Sequence, residues 1–254
     1  MLILDADLPA AALLGAEAPA LAAAVTSVGG RWYQTAPEWL SLDDCTITEW
    51  RPRAGQGLAL PAQPNRGNGK LTAAGLRLIP STNCGFCITG AAADAANFSF
   101  AVLCRPGADE LRTLLTLNLQ GTKNYLFLSH QSGQVSFKSQ SDSGEVTLPV
   151  PAGAGPGPMP QGTDLLLIAG FSRGRFFLRA GGELAQSATR PDTAITGSAD
   201  LFIGCRSHRD GLPKTLGDGH IAQVFFWPVN ILDPKEQAGP RQLAALDDYL
   251  FWEA

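Results

Sequence analysis

The residues whose types and spacing could do chemistry lie far apart in the chain. Gly170-Phe-Ser-Arg-Gly174 has the G-x-S-x-G spacing of a nucleophile elbow and follows an apolar run, LLLIAG, as such an elbow does. Ser172 could then recruit His208 or His220 with Asp210 or Asp218, in the chain order of a serine esterase. An elbow must turn straight into a helix, however. Here RFFLRAGG follows and reads as a strand, which makes the motif a hairpin turn. Cys84 and Cys87 form a C-x-x-C, half of a zinc site or a redox pair, but no second C-x-x-C or histidine pair stands at a ligand spacing. The three histidines, His130, His208 and His220, make no two-histidine set either, so no metal site is expected.

The elements that would have to hold these groups are strands. With 254 residues, 45% of them hydrophobic, the chain can bury a large core, and 28 glycines with 18 prolines spread along it suit many short strands and turns. The five cysteines are odd in number and scattered among apolar or small residues, as buried free thiols would be. A formal net charge of −4 without a cluster of Lys and Arg excludes nucleic acid as a main partner. Residues 1–30 are apolar and alanine-rich, but Asp5, Asp7 and Glu17 interrupt them and no basic segment precedes them, so they do not read as a signal peptide. No uncharged run reaches the roughly 18 residues of a spanning helix, and no membrane insertion is expected.

Leu201–Cys205 and His220–Trp227 read as two strands joined by a loop rich in glycine and charge, the second stopped by Pro228. Asn97–Arg105, apolar on both faces, reads as a central strand. Leu111–Leu119, Asn124–His130, Gln134–Gln140, Glu145–Val150, Leu165–Phe171 and Arg175–Ala180 follow as further strands with hairpin-type connections. Leu71–Ile79 reads as one apolar run and residues 84–96 as a cysteine pair with an alanine-rich loop. Pro9–Val28 reads as a helix, and Arg241–Phe251, with Leu243, Leu246, Tyr249 and Leu250 at helical spacing, as a short C-terminal helix. Trp32, Tyr33, Trp39 and Trp50 fit core or interface anchors better than a sugar-stacking surface. The predicted fold is all-β: an antiparallel jelly-roll β-sandwich over 46–254 with a short C-terminal helix and an N-terminal appendage, residues 1–45, that could dock a partner.

This order of strands and punctuation resembles the concanavalin A-like lectin/glucanase superfamily, in its laminin-G-like and pentraxin-like branch. The resemblance is carried by the Phe98–Arg105 strand, the Leu165–Ala180 hairpin, LFIGC at 201–205, GDGHIAQVFFW with Gly217, Gly219 and Ile221, and the helix ending in DDYLFW. Upstream, Trp50, Pro52, Ala54, Gly55 and Gly57 stand where bacterial and phage members have a Trp followed by an Asp-x-Ser-Gly-x-Gly turn, its acidic and serine positions replaced here.

The resemblance implies a jelly roll that hosts many functions. Glucanases of the superfamily use closely spaced carboxylates on one strand, whereas Glu49, Glu145 and Glu183 stand alone, so no catalytic residue is assigned and the chain is expected to bind without transforming. The expectation is an adhesin-like carbohydrate-binding protein, a spike or fibre component of a phage or gene-transfer-agent-like particle that meets a cell-surface polysaccharide. An aromatic platform with polar groups on one face and its rim would serve, with Tyr125, His130, Lys138, Arg206, His208 and Asp210 as candidates. Alternatives are a structural virion or adaptor protein, and an esterase using Ser172. Family members often bind calcium through loop oxygens, for which Asp94, Asn97, Asp210 and Asp218 are the candidates here. Other particle proteins are implied partners, and homo-oligomerisation would give a weak binding module avidity.

Overall fold

The computed structural model describes residues 17–43, 46–64, 70–107, 111–140, 144–150, 164–187, 194–209 and 215–253. In chain order the elements are α1 (Glu17–Ser27), β1 (Arg31–Gln34), β2 (Leu40–Asp43), β3 (Thr46–Trp50), β4 (Leu60–Pro61), β5 (Lys70–Thr72), β6 (Gly75–Leu78) and β7 (Phe86–Ala92). Then come β8 (Asn97–Pro106), β9 (Arg112–Leu119), β10 (Tyr125–Gln131), β11 (Gln134–Ser139), β12 (Glu145–Pro149), β13 (Leu165–Ser172) and β14 (Arg175–Ala180). The chain closes with β15 (Glu183–Gln186), β16 (Ala199–Ile203), β17 (Gly219–Trp227) and α2 (Gly239–Glu253).

Two antiparallel sheets face each other as a jelly-roll sandwich. One runs β15-β14-β13-β8-β17-β6-β5, with β1 also paired to β17; the other runs β12-β11-β10-β9-β16-β7-β4. Their inner faces enclose a core rich in aromatics, in which Phe137 meets Phe98, Phe100 and Phe176 edge-on at 5.3–6.3 Å. β8 is central as its apolar sequence requires, paired along its length with β13 and β17.

The outer face of the first sheet is also covered. α1 and α2 pack over it, and Leu21, Val25, Trp32, Phe225, Trp227, Leu246 and Tyr249 form a second core there. A β-bulge between Ile221 and Gln223 makes this double burial work. It brings Ile221, Val224 and Phe226 into the central core while Phe225 and Trp227 face the helices. Gln223 lies among the latter, accepting from Trp32 Nε1 at 2.8 Å and donating to Tyr249 at 3.2 Å. Residues 17–43 therefore pack on the same body as the strands, through α1 on α2 and β1 on β17.

Several expectations about elements change. Leu201–Cys205 and His220–Trp227, two strands that could have shared a sheet, stand in different ones: β16 lies between β7 and β9 in one and β17 between β8 and β6 in the other. Their connection therefore crosses the edge of the sandwich. Leu71–Ile79 is a hairpin, because Gly75 at φ +102° turns the chain, and a Cβ there would sit 2.4 Å from Ile221 O. The alanine-rich stretch hides β7, which pairs with β16 and buries Ala91 and Ala92 while Thr89 and Gly90 stay exposed. Residues 1–16, which include the start of the helix expected over Pro9–Val28, residues 151–163 and Cys45 lie outside the described residues.

Candidate functional site

The outer face of β9–β12 is where polar and aromatic side chains gather. Alternation in β10 sends Leu126 and Leu128 into the core and leaves Tyr125, Phe127 and Ser129 on the opposite face. Antiparallel register then builds rows across the strands. Thr116, Phe127, Lys138 and Glu145 form one, and Thr113, Ser129, Ser136 and Thr147 the next. Gln131 faces Gln134 beyond them. Lys138 pairs with Glu145 at 2.8 Å, and the Ser136 and Thr147 hydroxyls share a hydrogen bond of 2.9 Å.

The wall on one side of this face comes from the described parts of the connection between β16 and β17, residues 204–209 and 215–218. Its two ends are clamped by Arg112, a fully buried side chain of β9. Arg112 Nη2 donates to Gly204 O at 2.6 Å and Nη1 to Gly217 O at 2.8 Å. Burial lowers the pKa of this guanidinium, partly offset by the neighbouring Cys84 and Cys205. Backbone bonds from Gly204 N to Leu114 O and from Gly217 N to Leu111 O reinforce the clamp. Just past Gly204, the Arg206 guanidinium sits over Phe127, 3.9 Å from the ring centroid, with Nε donating to Thr113 Oγ1 at 3.0 Å. Asn118 Nδ2 holds Arg206 O at 3.2 Å. The result is a cleft of about 470 Å³, lined by Tyr125, Phe127, Ser129, Gln131, Gln134, Ser136, Lys138, Gln140 and Arg206, with Leu111 and Thr215 at its margin. Ligand clefts commonly hold roughly 300–1,000 Å³.

Of the sequence candidates, the structure brings Tyr125, Lys138 and Arg206 together in this cleft. His130 follows the alternation of Leu126 and Leu128 to the inner side and is 3% exposed. His208 packs edge-on against Phe202, at 5.0 Å, and its Nδ1 accepts from Gln63 N at 3.1 Å, so it braces the segment ahead of β5 and does not line the cleft. Asp210 lies outside the described residues. The serines and glutamines were missed, although i, i+2 spacing in YLFLSHQ and QVSFKSQ was enough to set them beside Tyr125. Arg112 carried no sequence signal, since its role depends on two loop carbonyls nearly a hundred residues away.

The other chemical candidates serve structure. Ser172 is 3% exposed and ends β13; Arg173 and Gly174 turn the chain at φ +53° and +71° directly into β14, so no helix follows. Ser172 Oγ donates to Asp233 Oδ2 at 2.7 Å and accepts from Asn230 Nδ2 at 3.0 Å, and no imidazole is in this network. Gly170 is glycine because a Cβ there would lie 2.1 Å from Asn230 Oδ1. Thus the G-x-S-x-G spacing reflects a tight turn and a pin for the chain leading to α2. Cys84, Cys87, Cys104 and Cys205 are buried free thiols, with Cys87 pushed up to about 12 by burial and then by Asp200. Asp94 accepts from the Ala96 and Gly197 N–H groups, Asn97 holds Asn230 N and Glu236, and Asp218 pairs with Arg77, so these calcium candidates are spread over separate contacts. Among the described residues no cluster of three His, Cys, Asp or Glu could hold a metal, and no helix is long and apolar enough to cross a membrane.

No family model and no curated sequence matches the chain. Among solved structures it resembles Trypanosoma rangeli sialidase in complex with sialic acid, with a TM-score of 0.57 and 14% identity, covering 91% of this chain and 37% of that one. The botulinum neurotoxin serotype G binding domain gives a TM-score of 0.54 at 10% identity, covering 86% of this chain and 50% of that one. The likeness is one of fold, a jelly-roll β-sandwich of the kind seen in these structures. The chain thus spans about a third of the sialidase and half of the toxin domain. One expectation is corrected here. A chain that binds without catalysis was read from the missing carboxylate trio, but the sialidases, matched over 37% of their length, are enzymes, so that missing trio does not set catalysis aside.

Proposed function

We propose that the chain is an adhesin-like carbohydrate-binding module that seats a cell-surface polysaccharide in the β9–β12 cleft. The observation that carries this reading is the cleft's composition: an aromatic ring, Tyr125, beside a field of hydroxyl and amide side chains on rigid strands. Sugar rings present C–H faces that pack on aromatics, and hydroxyls that pair with amides and serines. Strands β9 to β12 are hydrogen-bonded in register, so these groups are preorganised and little ordering entropy opposes binding. Position on a phage-like particle, with particle proteins as further partners, belongs to the same proposal and is supported by the sequence resemblance at Trp50–Gly57.

The test is titration of the full chain against a panel of bacterial surface polysaccharides. Saturable binding that weakens in Tyr125→Ala and Gln134→Ala, both with unchanged melting temperature, supports the reading. If the folded chain binds none of them, the module is a docking protein and the proposal fails.

A further inference from the structure

We infer that the cleft selects an acidic glycan, whose anionic substituent is taken by Arg206; this rests on the carbohydrate-binding reading above. Among the described residues that line the cleft are two cations, Lys138 and Arg206, and no Asp or Glu, although the whole chain is net acidic. The two are in different states. Lys138 is already neutralised by Glu145 at 2.8 Å. Arg206 has no carboxylate partner among the described residues, and its Nε is taken by a neutral hydroxyl, Thr113 Oγ1.

The geometry favours a ligand anion. The contact with Phe127 at 3.9 Å and the Thr113 bond hold the guanidinium in place, and among the described residues no carboxylate meets the remaining N–H donors of its fork, which suit a planar carboxylate or a sulfate. Its rotational freedom is already lost in the free protein, so binding an anion requires little further ordering. Phe127 is covered by the guanidinium, which leaves Tyr125, 5.8 Å from Phe127, as the ring against which the same sugar can stack. An acidic sugar would satisfy both at once.

The experiment is a printed array of neutral, carboxylated and sulfated oligosaccharides, probed with the full chain at low and physiological salt. Each carboxylated hit is then compared with its carboxyl-reduced form. The expected result is binding confined to acidic members, weakened by salt, and reduced about tenfold to a hundredfold in Arg206→Gln, as for loss of a charged hydrogen-bonding partner. Arg206→Lys keeps the charge but not the fork and should recover only part of it, while Lys138→Gln should matter less. Carboxylated and sulfated arms separate the two anion chemistries. Equal binding of neutral members or of reduced hits overturns the inference and leaves the carbohydrate reading standing; no binding to any member removes both.

Discussion

Replacing Arg112 by Met tests whether the cleft wall is held from inside the sandwich. Met keeps much of the side-chain volume but has no donors, so Gly204 O and Gly217 O, bonded to the guanidinium at 2.6 and 2.8 Å, lose their partners in a site with no exposed surface on Arg112. Each orphaned buried carbonyl costs about 1–3 kcal/mol, giving about 2–6 kcal/mol in all. Removing a charge that is itself costly to bury returns part of this, so a net loss of about 3 kcal/mol is expected. For a chain of this size that lowers the melting temperature by about 6–12 °C in calorimetry. Hydrogen exchange should rise first at the Gly204 and Gly217 amides, because their bonds to Leu114 and Leu111 sit beside the lost clamp. A melting temperature within about 2 °C of the parent, with exchange there unchanged, would refute the clamp; about 2 °C corresponds to less than about 1 kcal/mol.

Three further outcomes are expected. Burial acts to raise the Asp233 carboxyl, but the Ser172 hydroxyl, the Lys235 N–H and Arg173 outweigh it and hold its pKa below the usual 3.8. That stabilisation is present above the unfolded pKa and lost as pH falls through the folded one, so Asp233→Asn should be less stable than the parent at neutral pH, the gap narrowing in acid denaturation series. His220 shifts the other way. Burial, with Arg77 and Arg105 on the neighbouring strands, lowers its pKa despite Asp218 and Asp164, so the unfolded state takes up the proton first. Stability should therefore fall as pH drops below about 6.5, and His220→Gln should flatten that slope in pH-dependent melting curves. Finally, the four described thiols are buried, so the native chain should react with no more than one equivalent of a thiol reagent such as Ellman's until it unfolds; rapid reaction of two or more would contradict the burial.

What could be read from the chain alone was whatever depends on local periodicity and turn chemistry. Arg175–Ala180 is the strand its apolar run indicated, Asn97–Pro106 is central because it is apolar on both faces, and the α2 spacing of Leu246 and Tyr249 marks a buried helical stripe. The even alternation of β10 already separated Tyr125 from Leu126. Other features followed from tertiary partners that no window of sequence contains. β7 was missed because its alanines and glycine carry weak strand preference, which β16 and β4 override by pairing. The hairpin at Gly75 and the bulge at Ala222 depend on close approach to other strands. The strand after Ser172 already marked its motif as a turn, but that Asn230 and Asp233, some sixty residues on, occupy the serine is decided only by the fold. The cleft belongs to this second group. Sequence supplied its polar floor, but only closure of the sandwich carries the connection from β16 in one sheet to β17 in the other, brings Gly204 and Gly217 onto Arg112, and lays Arg206 over Phe127. Those contacts join segments about 80 to 105 residues apart, and they form only when the long-range pairing of the sheets has already closed the loops between them.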